Sequence, residues 1–172
     1  PLLVNRHHSV SVHANVPKGG AEGVLFCMGG NDGGFSFYVE DGKLTYGYNY
    51  LADQRFKVQS SNGGIPEGDH IFSFEFTPTG DADIASGKGV PANVKLFVDA
   101  RAVGDGDLPV TIPLTLGLAA GVAVGSVTGA PVMDDYPAPF RFTGTVRKAL
   151  IDVSGGAVED QEAKMRMYLA RQ

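Results

Sequence analysis

The sequence predicts an all-β fold, a jelly-roll sandwich of two antiparallel sheets, and two regular features of the chain support this prediction. Apolar residues recur at every second position over much of the chain, as in strands that have one buried face. Turn residues separate these runs, and the chain is rich in them, with 24 glycines and 10 prolines in 172 residues. At about 8–12 residues per strand, we expect roughly a dozen strands in two sheets of about five to seven each.

The alternation is clearest in six runs, each of which we interpret as a half-buried strand. In one of them, Phe72, Phe74 and Phe76 alternate with polar residues. Successive side chains of a strand point to opposite faces, so these three rings share one face. The runs are residues 9–13, 35–40, 44–50, 72–77, 94–99 and 140–147.

Asp41 and Gly42 stand between two of these runs and predict a tight β-hairpin. A two-residue turn of type I′ needs a positive φ angle at both central residues, and Asp-Gly is one of the pairs that favour it. We therefore expect the strands on either side of this turn to pair with each other.

The last segment of the chain differs from the rest and predicts a short amphipathic helix. Residues 157–171 contain no glycine or proline, and acid-to-base pairs four residues apart, such as Asp160 with Lys164, support a helix. We accordingly divide the chain into a β-sandwich domain, residues 1–154, and a C-terminal helix, residues 155–172. The helix packs either on this sandwich or on a partner domain. Its apolar stripe contains Val158, Met165 and Leu169.

Charge and cysteine content exclude several classes of function. The 14 Lys and Arg against 19 Asp and Glu give a net charge of −5, which argues against nucleic acid, because such binding depends on cationic contacts to phosphate. Cys27 is the one cysteine, so an intrachain disulfide and a CxxC motif are excluded.

The longest apolar stretch, residues 112–125, falls short of the about 20 residues that a membrane span needs. We find no signal-peptide pattern and expect a cytoplasmic location, with no membrane partner.

Candidate metal ligands are few and poorly spaced. His7 and His13 share a strand face but lie about 20 Å apart along the strand, which is too far for one zinc ion. The adjacent carboxylates of Asp134 and Asp135 could supply oxygen ligands to calcium or, alternatively, cap their loop and make polar contacts at an interface. We expect no metal or other cofactor in this chain.

Catalytic motifs are absent from the sequence. Cys27 lies in an apolar run, which is typical of a small buried residue rather than a nucleophile. A retaining glycosidase needs two carboxyl groups about 5–5.5 Å apart, but the acids of the predicted strands, Glu40, Glu75 and Asp99, stand singly. We therefore expect no catalysis by this chain alone.

A row of tyrosines on one predicted strand has two interpretations. Tyr46, Tyr48 and Tyr50 share one face of the strand, with Asn49 on the other. Tyrosine rings pack well between sheets or against a second domain, and they also stack on sugar rings. In the second interpretation these four residues and Arg55, on the next strand, form a glycan-binding platform.

Several local patterns together resemble the C-terminal, non-catalytic domain of bacterial arylsulfatases. The resemblance extends from about Asn5 to Val153, most of the chain. It implies the sandwich fold of that domain, which is of the concanavalin A-like lectin/glucanase type. The patterns are Gly23-Val24-Leu25-Phe26, Gly33-Gly34-Phe35-Ser36-Phe37-Tyr38-Val39, Asp41-Gly42-Lys43-Leu44, Tyr48-Asn49-Tyr50, Val94-Lys95-Leu96-Phe97-Val98-Asp99, Asp134-Asp135-Tyr136 and Phe142-Thr143-Gly144-Thr145.

The resemblance implies an accessory domain that packs against the catalytic domain of a sulfatase, a sulfuric ester hydrolase, and supports it. The Cys/Ser-x-Pro-x-Arg motif, whose first residue becomes formylglycine, is absent here, because Cys27 is followed by Met28-Gly29-Gly30-Asn31. The catalytic domain and its calcium would then lie upstream of this chain, which would itself be no enzyme. The alternative is a lectin-like carbohydrate-binding module. The residues that we expect at the contact with a catalytic domain are Asp134, Asp135, Tyr136 and Phe140.

Overall fold

The computed structural model describes residues 3–61, 63–114, 121–127 and 129–154, and within them it confirms an all-β sandwich. These residues contain ten strands in two five-stranded sheets, somewhat fewer than the dozen expected. The C-terminal helix predicted for residues 155–172 lies outside the described residues. The strands are β1 (His8–Val16), β2 (Gly23–Gly30), β3 (Gly33–Glu40), β4 (Lys43–Tyr50), β5 (Gln54–Gln59), β6 (Gly68–Pro78), β7 (Ala92–Val98), β8 (Arg101–Leu108), β9 (Val122–Val124) and β10 (Thr145–Asp152).

The two sheets differ in the order in which the chain supplies their strands. Sheet A has the order β10-β1-β6-β7-β8, so the last described strand pairs with the first. Sheet B has the order β5-β4-β3-β2-β9, in which consecutive hairpins are extended by the short edge strand β9. All of these pairs are antiparallel. The edge strands are β10 and β8 in sheet A and β5 and β9 in sheet B.

The predicted hairpin turn is confirmed. Asp41 and Gly42 have φ angles of 49° and 71° and connect β3 to β4, as a type I′ turn requires. The turn between β7 and β8 has positive φ angles of 50° and 64° at Asp99 and Ala100, without a glycine. Asp tolerates a positive φ angle in both turns, but alanine seldom adopts one, so the second turn carries no strong local signal at Ala100.

The main core lies between the two sheets and contains a cluster of packed aromatic rings. Phe74 of β6 is central, because its ring centroid lies 5.5 Å, 5.2 Å and 4.8 Å from those of Phe35, Phe37 and Tyr46. These four side chains are at most 4% exposed. Removing such large rings from water is a major stabilising term, and here it joins sheet A to sheet B.

Helical structure in the described residues is limited to a short 3-10 turn at Ile84–Ser86. Among these residues, no helix has the length and apolar character needed to cross a lipid bilayer.

Candidate functional site

Residues 129–140 lie across the outer face of sheet B, and we call them the crossing segment. Met133 packs directly on β4 at Gly47, where a Cβ atom would lie 2.5 Å from Met133 Cγ. At the other end, the Phe140 carbonyl accepts a hydrogen bond of 3.1 Å from the backbone N–H of Val24 in β2. The central strands of sheet B are therefore covered on both faces.

Apolar side chains of the crossing segment form a second, smaller core with β2 and β3. The Tyr136 ring packs between Tyr38 and Phe140, with both centroid distances at 4.9 Å. The Tyr136 hydroxyl donates a hydrogen bond of 2.7 Å to Ser36 Oγ, and burial raises the pKa of Tyr136 to about 12. The other buried members of this core are Val24, Cys27, Val127, Val132 and Met133.

Five charged residues meet where the crossing segment approaches β5, and we call Glu40, Arg55, Lys57, Asp134 and Asp135 the polar cluster. Arg55 Nε lies 3.2 Å from Asp134 Oδ2, and Lys57 Nζ forms an ion pair with Asp135. The Asp134 side chain is 73% exposed and that of Asp135 is 22% exposed. Each cation of the cluster is thus paired with a carboxylate of the crossing segment.

The carboxyl groups of Glu40 and Asp135 are neighbours, and each affects the protonation of the other. Burial, together with the neighbouring Asp135 carboxylate, raises the pKa of Glu40 to about 7. Burial also acts to raise the pKa of Asp135, but its contacts with Lys57 and with the Tyr38 hydroxyl, 2.7 Å away, outweigh burial and lower it. Of the two carboxyl groups, Glu40 therefore takes up a proton first as the pH falls.

This carboxyl pair was not predicted, because its members lie in separate elements that only the fold brings together. The Asp135 carboxylate forms an ion pair with Lys57 and accepts a hydrogen bond from the Tyr38 hydroxyl. The pair therefore fits a structural contact, and the lack of catalysis stays a prediction.

The tyrosines considered as a glycan platform face the main core instead. Tyr46 and Tyr48 are 0% and 7% exposed, and the Tyr48 hydroxyl accepts a hydrogen bond of 2.8 Å from the Ile112 N–H. Tyr50 is half-buried, and its hydroxyl donates to the Gly87 carbonyl at 2.7 Å. The structure therefore supports the packing interpretation, since the rings of Tyr46 and Tyr48 have no face open to a sugar.

The other two residues of that platform are also separated from it. Asn49 is buried, and its Nδ2 donates to the carbonyls of Gly30 and Asn31 at 3.2 Å and 2.9 Å. Its Oδ1 accepts a hydrogen bond of 2.9 Å from the Ala52 N–H, so Asn49 holds two turns in place. Arg55 lies in the polar cluster on the outer face of sheet B.

The residues predicted to contact a partner domain make contacts within this chain. Tyr136 is 3% exposed and Phe140 is half-buried in the second core. Asp134 and Asp135 face the cations of β5, which agrees with the interpretation of these carboxylates as polar contacts. In the part of the chain that the structure describes, no group of three or more His, Cys, Asp or Glu side chains is placed to hold a metal ion.

An open groove of about 710 Å³ lies between the edge strands β9 and β10, and we call it the edge groove. Two backbone hydrogen bonds support it, from the Phe142 N–H to the Gly125 carbonyl at 2.9 Å and from the Gly125 N–H to the Leu25 carbonyl at 3.0 Å. Sequence analysis missed this groove, because its walls come from distant parts of the chain. The lining includes Val124, Ser126, Pro139, Arg141, Thr145 and Val146.

Arg141 gives the edge groove its charge. Its side chain is exposed, and it forms no ion pair with any of the described residues. The other described residues that line the groove are uncharged. A second open groove, of about 610 Å³, has Lys18 together with Glu22 and Glu67 in its lining, so acids outnumber bases there. An anionic ligand is therefore better matched by the edge groove.

Comparisons with known proteins show similar folds but do not identify a family for this chain. Neither the protein-family models nor the curated proteins gave a match. Among solved structures, the chain is similar to the IT-sialidase CBM40 of Ruminococcus gnavus bound to α2,3-sialyllactose, at 14% identity and a TM-score of 0.58, over 92% of this chain and 80% of that one. It is also similar to domains LG4-5 of the mouse laminin α1 chain, at 10% identity and a TM-score of 0.58, over 90% of this chain and 37% of that one. A SAP-like pentraxin from Limulus polyphemus gives 11% identity and a TM-score of 0.51, over 90% of this chain and 67% of that one.

These likenesses support the predicted jelly-roll architecture. None of the three structures is a sulfatase domain by name, so descent from a sulfatase stays a prediction. The chain has a lectin-like sandwich fold of the kind found in carbohydrate-binding modules and laminin LG domains.

Proposed function

We propose that this chain is a carbohydrate-binding module that binds an acidic sugar of a glycan in the edge groove. The observation that carries the proposal is Arg141, an exposed cation in an open groove that pairs with no carboxylate of the described residues. The cations of the polar cluster are already paired, so that cluster has less positive charge to offer an anion.

The chemistry of the groove suits such a ligand. A guanidinium group can donate two parallel hydrogen bonds to a carboxylate or a sulfate. The hydroxyl groups of Ser126 and Thr145 can donate to and accept from sugar hydroxyls, while Val124 and Pro139 offer apolar surface to a ring face. The groove volume also lies in the range of small-ligand sites, roughly 300–1,000 Å³.

The fold supports the same ligand class independently. The Ruminococcus gnavus module was solved bound to α2,3-sialyllactose, a glycan that ends in an acidic sugar. At 14% identity its binding residues cannot be carried over to this chain, so the groove and Arg141 are argued from this chain alone.

Calorimetric titration with 3′-sialyllactose and with lactose, its neutral counterpart, tests the proposal. We expect the acidic ligand to bind more tightly. Arg141→Gln should weaken its binding about tenfold or more, because hydrogen bonds to charged groups contribute about 1.5–3 kcal/mol. Arg147→Gln is the matched control, since Arg147 pairs with Asp69 on an exposed surface and does not line the groove.

Two outcomes would contradict the proposal at different levels. Equal affinity of the wild-type protein and Arg141→Gln would reject the edge groove as the site. An array of acidic and neutral glycans without a single bound member would reject the module itself.

A role as the accessory domain of a sulfatase is a second proposal, which rests on the sequence resemblance. Val122 and Val124 on edge strand β9 are 49% and 46% exposed and give a neighbouring domain apolar surface to pack on. The full open reading frame tests it. We expect an upstream α/β domain with the Cys/Ser-x-Pro-x-Arg motif, and a reading frame that lacks one would contradict the proposal.

A further inference from the structure

A small cavity lies in the main core, between the first strand of sheet A and the middle of sheet B. Its volume is about 20 Å³, and its walls include the rings of His8, Phe35, Tyr46 and Phe76. A cavity needs about 10–15 Å³ of such volume to hold one water molecule, so this one has room for a single water and for nothing larger.

Two buried polar atoms belong to side chains that line this cavity. His8 Nε2 and the Tyr46 hydroxyl oxygen have no hydrogen-bond partner among the described residues. The two side chains are 2% and 0% exposed, so bulk solvent cannot satisfy either of them. Since nearly all buried polar groups in proteins are hydrogen-bonded, both atoms call for a partner inside the cavity.

The chemistry of the two atoms is complementary to one water molecule. His8 Nδ1 lies 2.9 Å from the Arg6 carbonyl oxygen, which can only accept, so Nδ1 carries the proton and Nε2 is left as an acceptor. Burial keeps the imidazole neutral by lowering the pKa of His8 to about 4. Burial likewise raises the pKa of Tyr46, so its hydroxyl keeps its proton and can donate.

We propose that this cavity binds one structural water molecule that bridges His8 Nε2 and the Tyr46 hydroxyl. The water donates one hydrogen to the imidazole nitrogen and accepts the phenolic hydrogen. Because His8 begins β1 in sheet A and Tyr46 lies in β4 of sheet B, the bridge is a polar link between the two sheets. It lies in a core that is otherwise composed of apolar side chains.

A high-resolution crystal structure of the wild-type protein tests the proposal directly. We expect an isolated density peak within about 2.7–3.2 Å of both atoms. Tyr46→Phe should abolish or displace the peak. Tyr50→Phe is the matched control and should retain it, because Tyr50 does not line the cavity and its hydroxyl donates to the Gly87 carbonyl.

Nitrogen NMR of His8 gives a second measurement that needs no substitution. We expect an Nδ1–H tautomer whose Nε2 shift shows an accepted hydrogen bond. A cavity without density, a direct hydrogen bond from Tyr46 to His8, or a proton on Nε2 would each overturn the proposal.

Discussion

The hydroxyl group of Tyr136 donates a hydrogen bond of 2.7 Å to the hydroxyl oxygen of Ser36, and 100 positions separate the two residues in the chain. Ser36 lies in the middle of β3 on the outer face of sheet B and is fully buried. The contact fastens the crossing segment to the sheet. It places Asp134 and Asp135 opposite the cations of β5.

Removing this hydroxyl should destabilise the protein. Tyr136→Phe leaves the Ser36 hydroxyl buried without that partner, which costs about 1–3 kcal/mol of unfolding free energy. The double variant Tyr136→Phe/Ser36→Ala should lose less than the sum of the two single variants, since no polar group is then left unpaired. Urea unfolding of all four proteins measures this coupling, and strictly additive losses would show that the bond contributes nothing.

The packing of Met133 on β4 requires a glycine at position 47. In Gly47→Ala the new Cβ atom would lie 2.5 Å from Met133 Cγ, so the crossing segment must shift. We expect a loss of about 1–3 kcal/mol in thermal or urea unfolding, as in other overpacked sites. Gly63→Ala is the matched control, because a Cβ atom there has no neighbour within 4 Å and its stability should stay within about 0.5 kcal/mol. Equal effects of the two substitutions would contradict the close contact.

Acid should unfold the protein partly through His8. The pKa of His8 is about 4 in the folded chain and 6.5 without burial, so between these values the unfolded chain binds the proton first. Stability should therefore fall as pH drops from about 6.5 to 4, by about 3 kcal/mol from this group. His8→Phe can keep the stacking on Phe76 but has no group to protonate. Unfolding curves at several pH values should therefore show a smaller decrease in its unfolding free energy over this pH range. The same pH dependence of unfolding free energy in the wild-type protein and in His8→Phe would contradict the burial of a neutral imidazole.

The pKa of His70 should be raised in the folded protein, whereas that of His8 is lowered. Burial acts to lower its pKa, but hydrogen bonds with Asp99 Oδ2 at 2.7 Å and the Pro66 carbonyl at 2.9 Å outweigh burial and raise it. The pairing therefore stabilises the fold below pH 6.5, and this stabilisation is lost as pH rises through the folded pKa. NMR titration should give a pKa above 6.5 that falls in Asp99→Asn. Asparagine tolerates the positive φ angle of 50° at this position, so the turn should persist. An unchanged titration would show that the carboxylate is not the cause.

Cys27 should be chemically inert in the folded protein. It is 2% exposed, and burial raises its pKa to about 11, so little thiolate forms at pH 8. We expect reaction with a thiol reagent such as Ellman's reagent only after urea unfolding. Rapid labelling of the native protein would contradict the packing of the second core.

Much of the fold follows from local chemistry in the chain. Alternating residues on β6 and the Asp41-Gly42 turn predicted strands and a hairpin correctly, because side-chain direction and positive φ angles are local properties. The alternation could not decide which face of β3 and β4 meets the main core. On these strands both faces are buried, so Tyr38 and Tyr46 are each fully buried on opposite sides of sheet B.

The candidate site depends on contacts that no local pattern encodes. The polar cluster joins β5 to the crossing segment, and the edge groove joins β9 to β10 beside Arg141. The sequence alone therefore determined a sandwich of alternating strands with an acidic surface. The tertiary structure decided which tyrosines are buried, which cations are neutralised and where Arg141 is left without an ion pair among the described residues. Burial and ion pairing depend on residues that are distant in the chain, so no local pattern could show them.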